Sequence, residues 1–396
     1  MFSIDAAVRL AKGKEYSVGR FHPWIFSGAI KTIEGGPKDG QWVKVFDSKN
    51  NVLGYGHFQK GSIAVRMLSF EKELPADSFW TGKISGALSQ RRATNLPNEN
   101  TSAYRLVHGE GDGLPGLIID FYDGVAIVQA HSSGMHMDRM AIAEALREVM
   151  NESLQAIFYK SHGTLPGNIR SQVDAEYLFG MSAVPHIILE HGNRFLVDWE
   201  GGQKTGFFLD QRENRMLLSK YSPGRIVLNT FCYTGGFSVY ALRGGALRVH
   251  SVDASEKAIE LTKRNIELNG FDPFTNYSYA ADTFEFLKDK HDVYDLIVLD
   301  PPAFAKHREA RHQAVKGYQR LNAEALRVIK SGGIIFTFSC SQVVDKQLFY
   351  DTVVSSAIQS KRKVKVLEHL SQPSDHPVSI FHPEGEYLKG LVLYVE

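Results

Sequence analysis

The residues best placed to do chemistry lie in two short motifs of the C-terminal half. The first is Asp300 with the Pro-Pro-Ala-Phe run that follows it, and the second is Cys340 within FTFSCS. C5 of a cytosine is a weak nucleophile, so an enzyme that methylates it must first add a thiolate to the neighbouring C6. A carboxyl group can hold or protonate N3 of the ring during that attack. Cys340 and Asp300 are therefore the predicted catalytic residues, a thiol nucleophile and a general acid, if the fold brings them to one site.

The elements that must position this pair form a repeating pattern. From about residue 191, predicted strands and helices alternate, which is typical of an α/β fold with a doubly wound parallel sheet. Such sheets bind ligands at the carboxyl ends of their strands. If the strand before Cys340 neighbours the strand before Asp300, the thiol and the carboxylate face one crevice. The predicted strands are Ile226–Asn229, Val249–Asp253, Tyr294–Asp300 and Ile334–Ser339.

A glycine turn after the first of these strands predicts a nucleotide site. The turn reads FCYTGGF from Phe231, and glycine allows the backbone to approach a ligand closely. Asp253 ends the next strand, 17 residues beyond Gly236, where its carboxylate can accept both ribose hydroxyls of an adenosine. Asp282, in the ADTF segment between the strands Val249–Asp253 and Tyr294–Asp300, has a polar side chain that can bind the adenine amine. In this order and at these intervals, the three features predict an adenosyl site.

The DPPAF motif distinguishes a methyl donor from a dinucleotide, because the sheet alone suits both. The motif resembles [DN]-P-P-x-[FYW] of nucleic-acid and amino-group methyltransferases, in which rigid prolines hold polar groups against a planar base. S-adenosylmethionine is therefore the expected cofactor. The residues assigned to its site from these motifs are Phe231, Tyr233, Thr234, Gly235, Gly236, Asp253, Ser255, Asp282, Asp300 and Pro301.

The two cysteines and the overall composition exclude several classes of protein. Cys232 and Cys340 are too few for a disulfide framework and have no zinc-ligand spacing, so no metal site is expected. Cys232, inside the glycine turn, is interpreted as a packing residue. With 43% hydrophobic and 22% charged residues in 396, the chain is typical of a globular protein of two or three domains. It has no membrane-length apolar run and no secretory signal, so the cytoplasm is the expected location.

Two further domains are predicted before the methyltransferase domain at residues 191–396. Residues 1–72 favour a small β-barrel and hold eleven Lys/Arg against six Asp/Glu. Their HPWIFSGAI segment resembles the PUA module of RNA-modifying enzymes, and we expect Trp24 and Phe26 to fill the barrel rather than stack on bases. Residues 73–190 favour a central α+β domain, in which the glycine-rich GEGDGLPG segment is interpreted as structural.

The whole sequence resembles the bacterial large-subunit (23S) rRNA cytosine-C5 methyltransferases, built from a PUA domain, a central α+β domain and a Rossmann-like class I methyltransferase domain. Further matching stretches are GEGDGLPGLIID, KTGFFLDQR and the tail DHPV with HPEGEYLKG. Many RNA cytosine-C5 methyltransferases have a second cysteine where this sequence has Ala303, so the base for product release stays unassigned. The resemblance implies an rRNA partner, allows a homodimer, and extends the cofactor site to Thr205, Gly206, Phe208, Asp210, Gln211 and Arg212.

Alternatives remain open at this point. A methyltransferase acting on a purine or an exocyclic amine of rRNA would need no thiol, so loss of Cys340 would be tolerated. A non-catalytic RNA-binding or ribosome-assembly protein would bind no S-adenosylmethionine. A basic stretch between the two motifs is predicted either to contact RNA phosphates or to be a solvated helix face, and it comprises Lys306, His307, Arg308, Arg311, His312, Lys316 and Tyr318.

Overall fold

The computed structural model describes residues 4–167, 173–288, 290–305 and 307–396. The chain divides into two compact units, each made of several segments. The first consists of Met1–His186, Asp198–Gly206 and Ser374–Gly385, and the second of Ile187–Val197, Phe207–Pro373 and Glu386–Glu396. Among the described residues, none of the helices has the length and apolar character needed to span a membrane.

The first unit begins with a six-stranded sheet of alternating, half-buried strands. Its strands pair in the order β2-β6-β5-β4-β1-β3. Alternate residues such as Val8, Val43 and Val45 point into one apolar core, as period-two patterning requires. The strands are β1 Ala7–Leu10, β2 Trp24–Phe26, β3 Ile30–Glu34, β4 Trp42–Phe46, β5 Val52–Phe58 and β6 Ile63–Ser69.

The expectation that Trp24 and Phe26 fill this core is wrong. On the three residues of β2, only Ile25 points inward and is fully buried, because neighbours on a strand face opposite sides. Phe26 is 50% exposed. Trp24 is half-buried, and its indole N–H donates to Glu110 at 2.9 Å.

The rest of the first unit is a five-stranded sheet covered by helices around a second apolar core. The glycine-rich segment is structural here: the Arg91 guanidinium, which is buried, pairs with Asp112 and also donates to the Asp375 carbonyl at 2.8 Å. The strands are β7 Ala103–His108, β8 Leu117–Tyr122, β9 Val125–Ala130, β10 Ala156–Tyr159 and β11 Glu176–Phe179, and the helices are α2 Phe79–Ala93, α3 Ser133–Met137 and α4 Arg139–Met150. The short helix α1 Tyr16–Gly19 instead precedes β2 and buries Val18 in the core of the six-stranded sheet.

The second unit is built on a seven-stranded sheet in the order β16-β15-β14-β17-β18-β20-β19. Neighbouring strands run parallel except β20, which is antiparallel to both β18 and β19. The strands are β14 Ile226–Thr230, β15 Arg248–Asp253, β16 Asn276–Ala280, β17 Tyr294–Leu299, β18 Ile329–Ser339, β19 Val364–Ser371 and β20 Lys389–Val395, and a separate hairpin pairs β12 His186–Glu190 with β13 Asn193–Val197.

Helices connect the parallel strands, and buried aliphatic runs fill the strands themselves, as expected of a sheet covered on both faces. The predicted α/β fold is confirmed. The four strands predicted from the sequence correspond to β14, β15, β17 and β18. The helices are α5 Arg212–Tyr221, α6 Gly236–Arg243, α7 Glu256–Leu268, α8 Thr283–Lys288, α9 Arg311–Val328 and α10 Lys346–Ser360.

Candidate functional site

The carboxyl edge of the seven-stranded sheet gathers the predicted polar residues of the second unit. The winding reverses between β14 and β17, which pair directly, and such a switch point opens a crevice at the strand ends. Asp300 directly follows β17, and Cys340 directly follows β18. β17 and β18 are parallel neighbours, with Leu299 opposite Thr337, so both catalytic candidates emerge at the same edge.

The loop between β14 and α6 has a constrained backbone. Phe231 and Tyr233 have φ of 54° and 46°, a left-handed conformation that is uncommon for residues other than glycine. Gly235 has φ of 75°, and a Cβ there would lie 2.7 Å from Cγ2 of Thr262. Strained backbone of this kind concentrates at ligand-binding sites. The loop thus presents main-chain groups at the edge with little room for side chains beneath it.

Asp253 links this loop to the next one. Its carboxylate accepts hydrogen bonds from the backbone N–H of Tyr233 at 3.0 Å and of Ser255 at 2.9 Å. A carboxylate offers about four lone-pair sites, so these two bonds leave acceptor capacity for a diol. Both bonds also fix the carboxylate in place, which is what a ribose-binding group needs.

The side chains of Ser255 and Asp282 each accept backbone hydrogen bonds at the start of a helix. The Ser255 hydroxyl accepts from the Ala258 N–H at 3.3 Å and caps α7. Asp282 accepts from the N–H groups of Phe284 and Glu285 at 2.9 and 3.1 Å, at the start of α8. The structure brings both residues to the carboxyl edge, where their side chains are partly committed to capping.

The residues that the family resemblance added lie mostly ahead of α5. Gln211 donates from Nε2 to Oδ1 of Asp300 at 3.0 Å, and Asn214 in turn donates to Gln211 at 2.7 Å. Asp210 accepts from the Tyr387 hydroxyl at 2.7 Å. A chain of amides therefore orients the Asp300 carboxylate from the side of α5.

Three other residues of that set, Phe208, Arg212 and Thr205, make contacts that do not involve Asp300. The Phe208 ring meets the ring of Tyr233 edge-on, with centroids 5.2 Å apart. Arg212 is buried and donates to Glu213 at 3.1 Å. Thr205 belongs to the first unit, where its hydroxyl donates to Asp120 at 2.7 Å.

The loop that carries Cys340 is tied to the loop that follows the DPPAF motif. The Ser341 hydroxyl donates to the Ala305 carbonyl at 2.8 Å, and Cys340 itself is half-buried. The phenol of Tyr318 lies within electrostatic range of both candidates: burial raises its pKa, and negative charge on Cys340 or on Asp300 raises it further. Thiol and carboxylate therefore share one neighbouring side chain.

Tyr318 also corrects the interpretation of the basic stretch. It is fully buried on α9 and packs against Phe304, with ring centroids 4.7 Å apart, so it is no part of a surface. His312 and Lys316 are exposed, and Arg311 pairs with Asp345 at 3.7 Å. Lys306 and the side chain of Arg308 lie outside the described residues.

The second cysteine behaves as predicted for a packing residue. Cys232 is buried, and its sulfur lies 3.5 Å from the hydroxyl of Thr262. Burial raises the pKa of its thiol to about 12, so it stays protonated at neutral pH. Of the two cysteines, Cys340 is the one that a reagent or substrate can reach.

Lys389 is a functional candidate that the sequence analysis missed. It begins β20 opposite Ser339, is buried, and donates from Nζ to the carbonyls of Ser341 and Tyr387 at 2.7 and 2.8 Å. Burial lowers its pKa to about 8, while negative charge on Cys340 opposes that shift. The lysine therefore flanks the cysteine and, when protonated, favours its thiolate. The only sequence signal was its place in the tail motif EYLKG.

We predict that Lys389→Met slows the alkylation of Cys340. Loss of the ammonium removes a charge that favours the thiolate, so the pH at which the iodoacetamide rate is half-maximal should rise. Cys232 contributes little, since its thiol is buried, and Cys340→Ala gives the background. An unchanged pH profile in Lys389→Met, with the fold intact by circular dichroism, would contradict this electrostatic role.

A second prediction concerns the glycine turn. Gly235→Ala should weaken binding of S-adenosylhomocysteine by at least tenfold, because the new Cβ forces the loop away from Thr262. Gly245→Ala is the matched control: its φ is 83°, but its Cβ would meet nothing closer than 3.8 Å. Both variants incur the left-handed backbone cost of roughly 1–2 kcal/mol. Calorimetry that shows equal affinities for the two variants would remove the turn from the cofactor site.

Comparison with known proteins agrees with this geometry. The family model of S-adenosylmethionine-dependent methyltransferases matches residues 104–388, and that of PUA-like domains matches residues 8–70. A ribosomal RNA large subunit methyltransferase I of Aeromonas hydrophila is 38% identical over 98% of this chain and 99% of the relative, and one of Alteromonas mediterranea is 37% identical over 99% of each. A solved methyltransferase complexed with SAH has a TM-score of 0.83 at 25% identity, covering 99% of this chain and 100% of that chain.

The sheet order and the groups at its carboxyl edge thus define an S-adenosylmethionine-dependent methyltransferase, and S-adenosylmethionine is its cofactor. The predicted PUA-like module at the N-terminus is confirmed as well. Within that class, the chain belongs to the ribosomal RNA large subunit methyltransferase I family.

Proposed function

We propose that the protein methylates C5 of a cytosine in large-subunit (23S) rRNA through a transient bond between Cys340 and C6 of the base. The proposal rests on one observation: two loops lie side by side at the carboxyl edge of the seven-stranded sheet. The half-buried thiol of Cys340 follows β18, and the carboxylate of Asp300 follows the neighbouring β17. The rRNA substrate rests on the relatives, which are named for it. A cytoplasmic location and a homodimer remain predictions.

The residues at the edge suit the cofactor. Asp253 retains acceptor capacity for the ribose hydroxyls, and the turn at Gly235 has no room for a Cβ, as a close backbone approach requires. We propose that Phe208, Asp210 and the other residues of the second unit assigned above complete this site. S-adenosylmethionine, when bound, supplies an electrophilic methyl group. Arg212 and Ser255 would contribute through the loops that they hold, given their existing bonds.

The chain's own residues would then act on the base in sequence. The Cys340 thiolate adds to C6, and Asp300, held by Gln211, hydrogen-bonds or protonates N3, which makes C5 nucleophilic. After methylation, the C5 proton leaves to a base, and the electrons of that C–H bond restore the C5–C6 double bond as the Cys340–C6 bond breaks. The proton gained at N3 returns to Asp300. A target base inside a helix must first leave its stack to reach the crevice.

The RNA would be held by groups outside the reacting pair. His312 and Lys316 are exposed on α9 and can contact phosphates, and Phe26 is exposed on the PUA-like module. Phosphate contacts should make binding fall with rising salt.

Incubation with labelled S-adenosylmethionine and large-subunit rRNA, followed by nuclease digestion and mass spectrometry of the nucleosides, tests the proposal. We expect 5-methylcytidine. A methylated adenine or guanine would overturn the cytosine assignment and leave the family assignment intact.

A further inference from the structure

A cluster of two histidines and one glutamate lies in the first unit. His22 lies between α1 and β2, and His382 and Glu384 come from the segment Ser374–Gly385. The Glu384 carboxylate lies 3.9 Å from Nε2 of His22 and 3.9 Å from Nε2 of His382. One donor atom from each of the three residues lies within 4.8 Å of the others. About 360 positions separate the histidines, so no spacing in the sequence could reveal the set.

His382 is the unusual member of the cluster. The residue is 2% exposed, and neither of its ring nitrogens has a hydrogen-bond partner. A buried polar group without a partner costs free energy, and such groups are rare in folded proteins. The ring meets Trp24 edge-on at 4.3 Å, which fixes its orientation.

His22 is oriented in the way that a metal ligand requires. Its Nδ1 lies 3.2 Å from both the backbone nitrogen and the carbonyl oxygen of Trp24. In the tautomer protonated at Nδ1, the ring donates to that carbonyl and leaves the Nε2 lone pair bare and directed at the cluster. Metal-bound histidines almost always donate their other N–H to such a partner.

We propose that His22, His382 and Glu384 form a binding site for a divalent transition metal of the Zn²⁺ class. Two imidazoles and one carboxylate are ligands that zinc accepts, with a fourth position left for water. In a tetrahedral zinc site, donor atoms lie about 3.4 Å apart. The two 3.9 Å separations, each to a different oxygen of Glu384, would close by about half an ångström, and the other donor separations lie within 4.8 Å. Glu110, which accepts from the Trp24 indole, adds negative charge near His382.

The metal would satisfy the orphaned imidazole and join the HPW segment of the PUA-like module to the segment at 374–385 within the same unit. Its binding should therefore raise the melting temperature of the protein, because a ligand that binds only the folded state stabilises it.

The test is calorimetric titration of ZnCl2 into chelator-treated full-length protein, with Co²⁺ absorption between about 500 and 650 nm as a second readout of tetrahedral coordination. We expect one Zn²⁺ per chain and at least tenfold weaker binding in His22→Asn, His382→Asn and Glu384→Gln. Glu384 is exposed, so its variant should fold normally even if loss of His382 perturbs the unit. His369→Asn, an exposed histidine outside the cluster, is the matched control and should bind as tightly as the wild type.

Absence of Zn²⁺ binding would overturn the proposal. So would binding that is equally strong in Glu384→Gln and His382→Asn, since the ion would then be adventitious at the surface. The readouts do not depend on methyl transfer, so they are independent of the proposed reaction.

Discussion

Cys340→Ala is expected to reduce methyl transfer to rRNA by at least about 10⁴-fold while leaving affinity for S-adenosylhomocysteine within twofold of the wild type. Without the thiolate, C5 of the cytosine stays a weak nucleophile. The cofactor residues are unaffected, because Asp253 and Gly235 are held by the loops after β15 and β14. Single-turnover transfer of a labelled methyl group and calorimetry give the two quantities.

Cys232→Ala is the matched control for this prediction. It removes the other thiol, which is buried and packs against Thr262, so it should reduce stability modestly and keep the rate per folded molecule. Full activity of Cys340→Ala would contradict the covalent mechanism and favour transfer to a purine or an exocyclic amine instead.

RNA that carries 5-fluorocytosine gives the same prediction a direct chemical readout. Fluorine at C5 cannot leave as a proton does, so the Cys340–C6 bond should persist after methyl transfer. A denaturing gel should show a protein–RNA adduct in the wild type and in Cys232→Ala, and none in Cys340→Ala. Absence of the adduct with an active preparation and the correct RNA would overturn the role of Cys340.

The parts of the site that could be predicted from the sequence follow directly from strand ends. Asp253, Asp300 and Cys340 each come at or just after a buried strand, and parallel strands bring such residues to one edge whatever the loops do. That is why a few short motifs predicted both the sheet and its catalytic candidates.

Contacts between distant segments could not be predicted in the same way. Gln211 reaches Asp300 across 89 residues, and Lys389 reaches the carbonyl of Ser341 across 48. The second contact depends on β20 entering the sheet antiparallel beside β18, which no local pattern encodes. The cluster around His382 has the same origin.

The errors have a common physical cause as well. The basic sequence neighbours of Tyr318 predict a surface position for it, yet one face of α9 is buried and the tyrosine points into it. The aromatic ring of Phe26 predicts a core position, yet its place on the strand points it outward. In both cases the direction of the side chain, which is set by helix or strand geometry, outweighs the residue type.

Asp300→Asn is expected to slow methyl transfer by about 10²- to 10⁴-fold, the range typical of removing a general acid. The substitution tests the acid function alone. An asparagine oxygen can still accept the hydrogen bond from Gln211, so the side chain should keep its orientation. Affinity for S-adenosylhomocysteine should change little if the carboxylate acts mainly on the base. Burst amplitudes and single-turnover rates separate these contributions.

Asp295→Asn provides the control, because Asp295 lies near the start of the same strand and pairs with Lys330 at 2.8 Å, away from the carboxyl edge. It should cost stability without a comparable loss of rate. If Asp300→Asn kept a rate within threefold of the wild type while Cys340→Ala was inactive, N3 of the cytosine would not need this carboxyl group. The thiolate at Cys340 and its neighbouring lysine would then supply the activation of C5 by themselves.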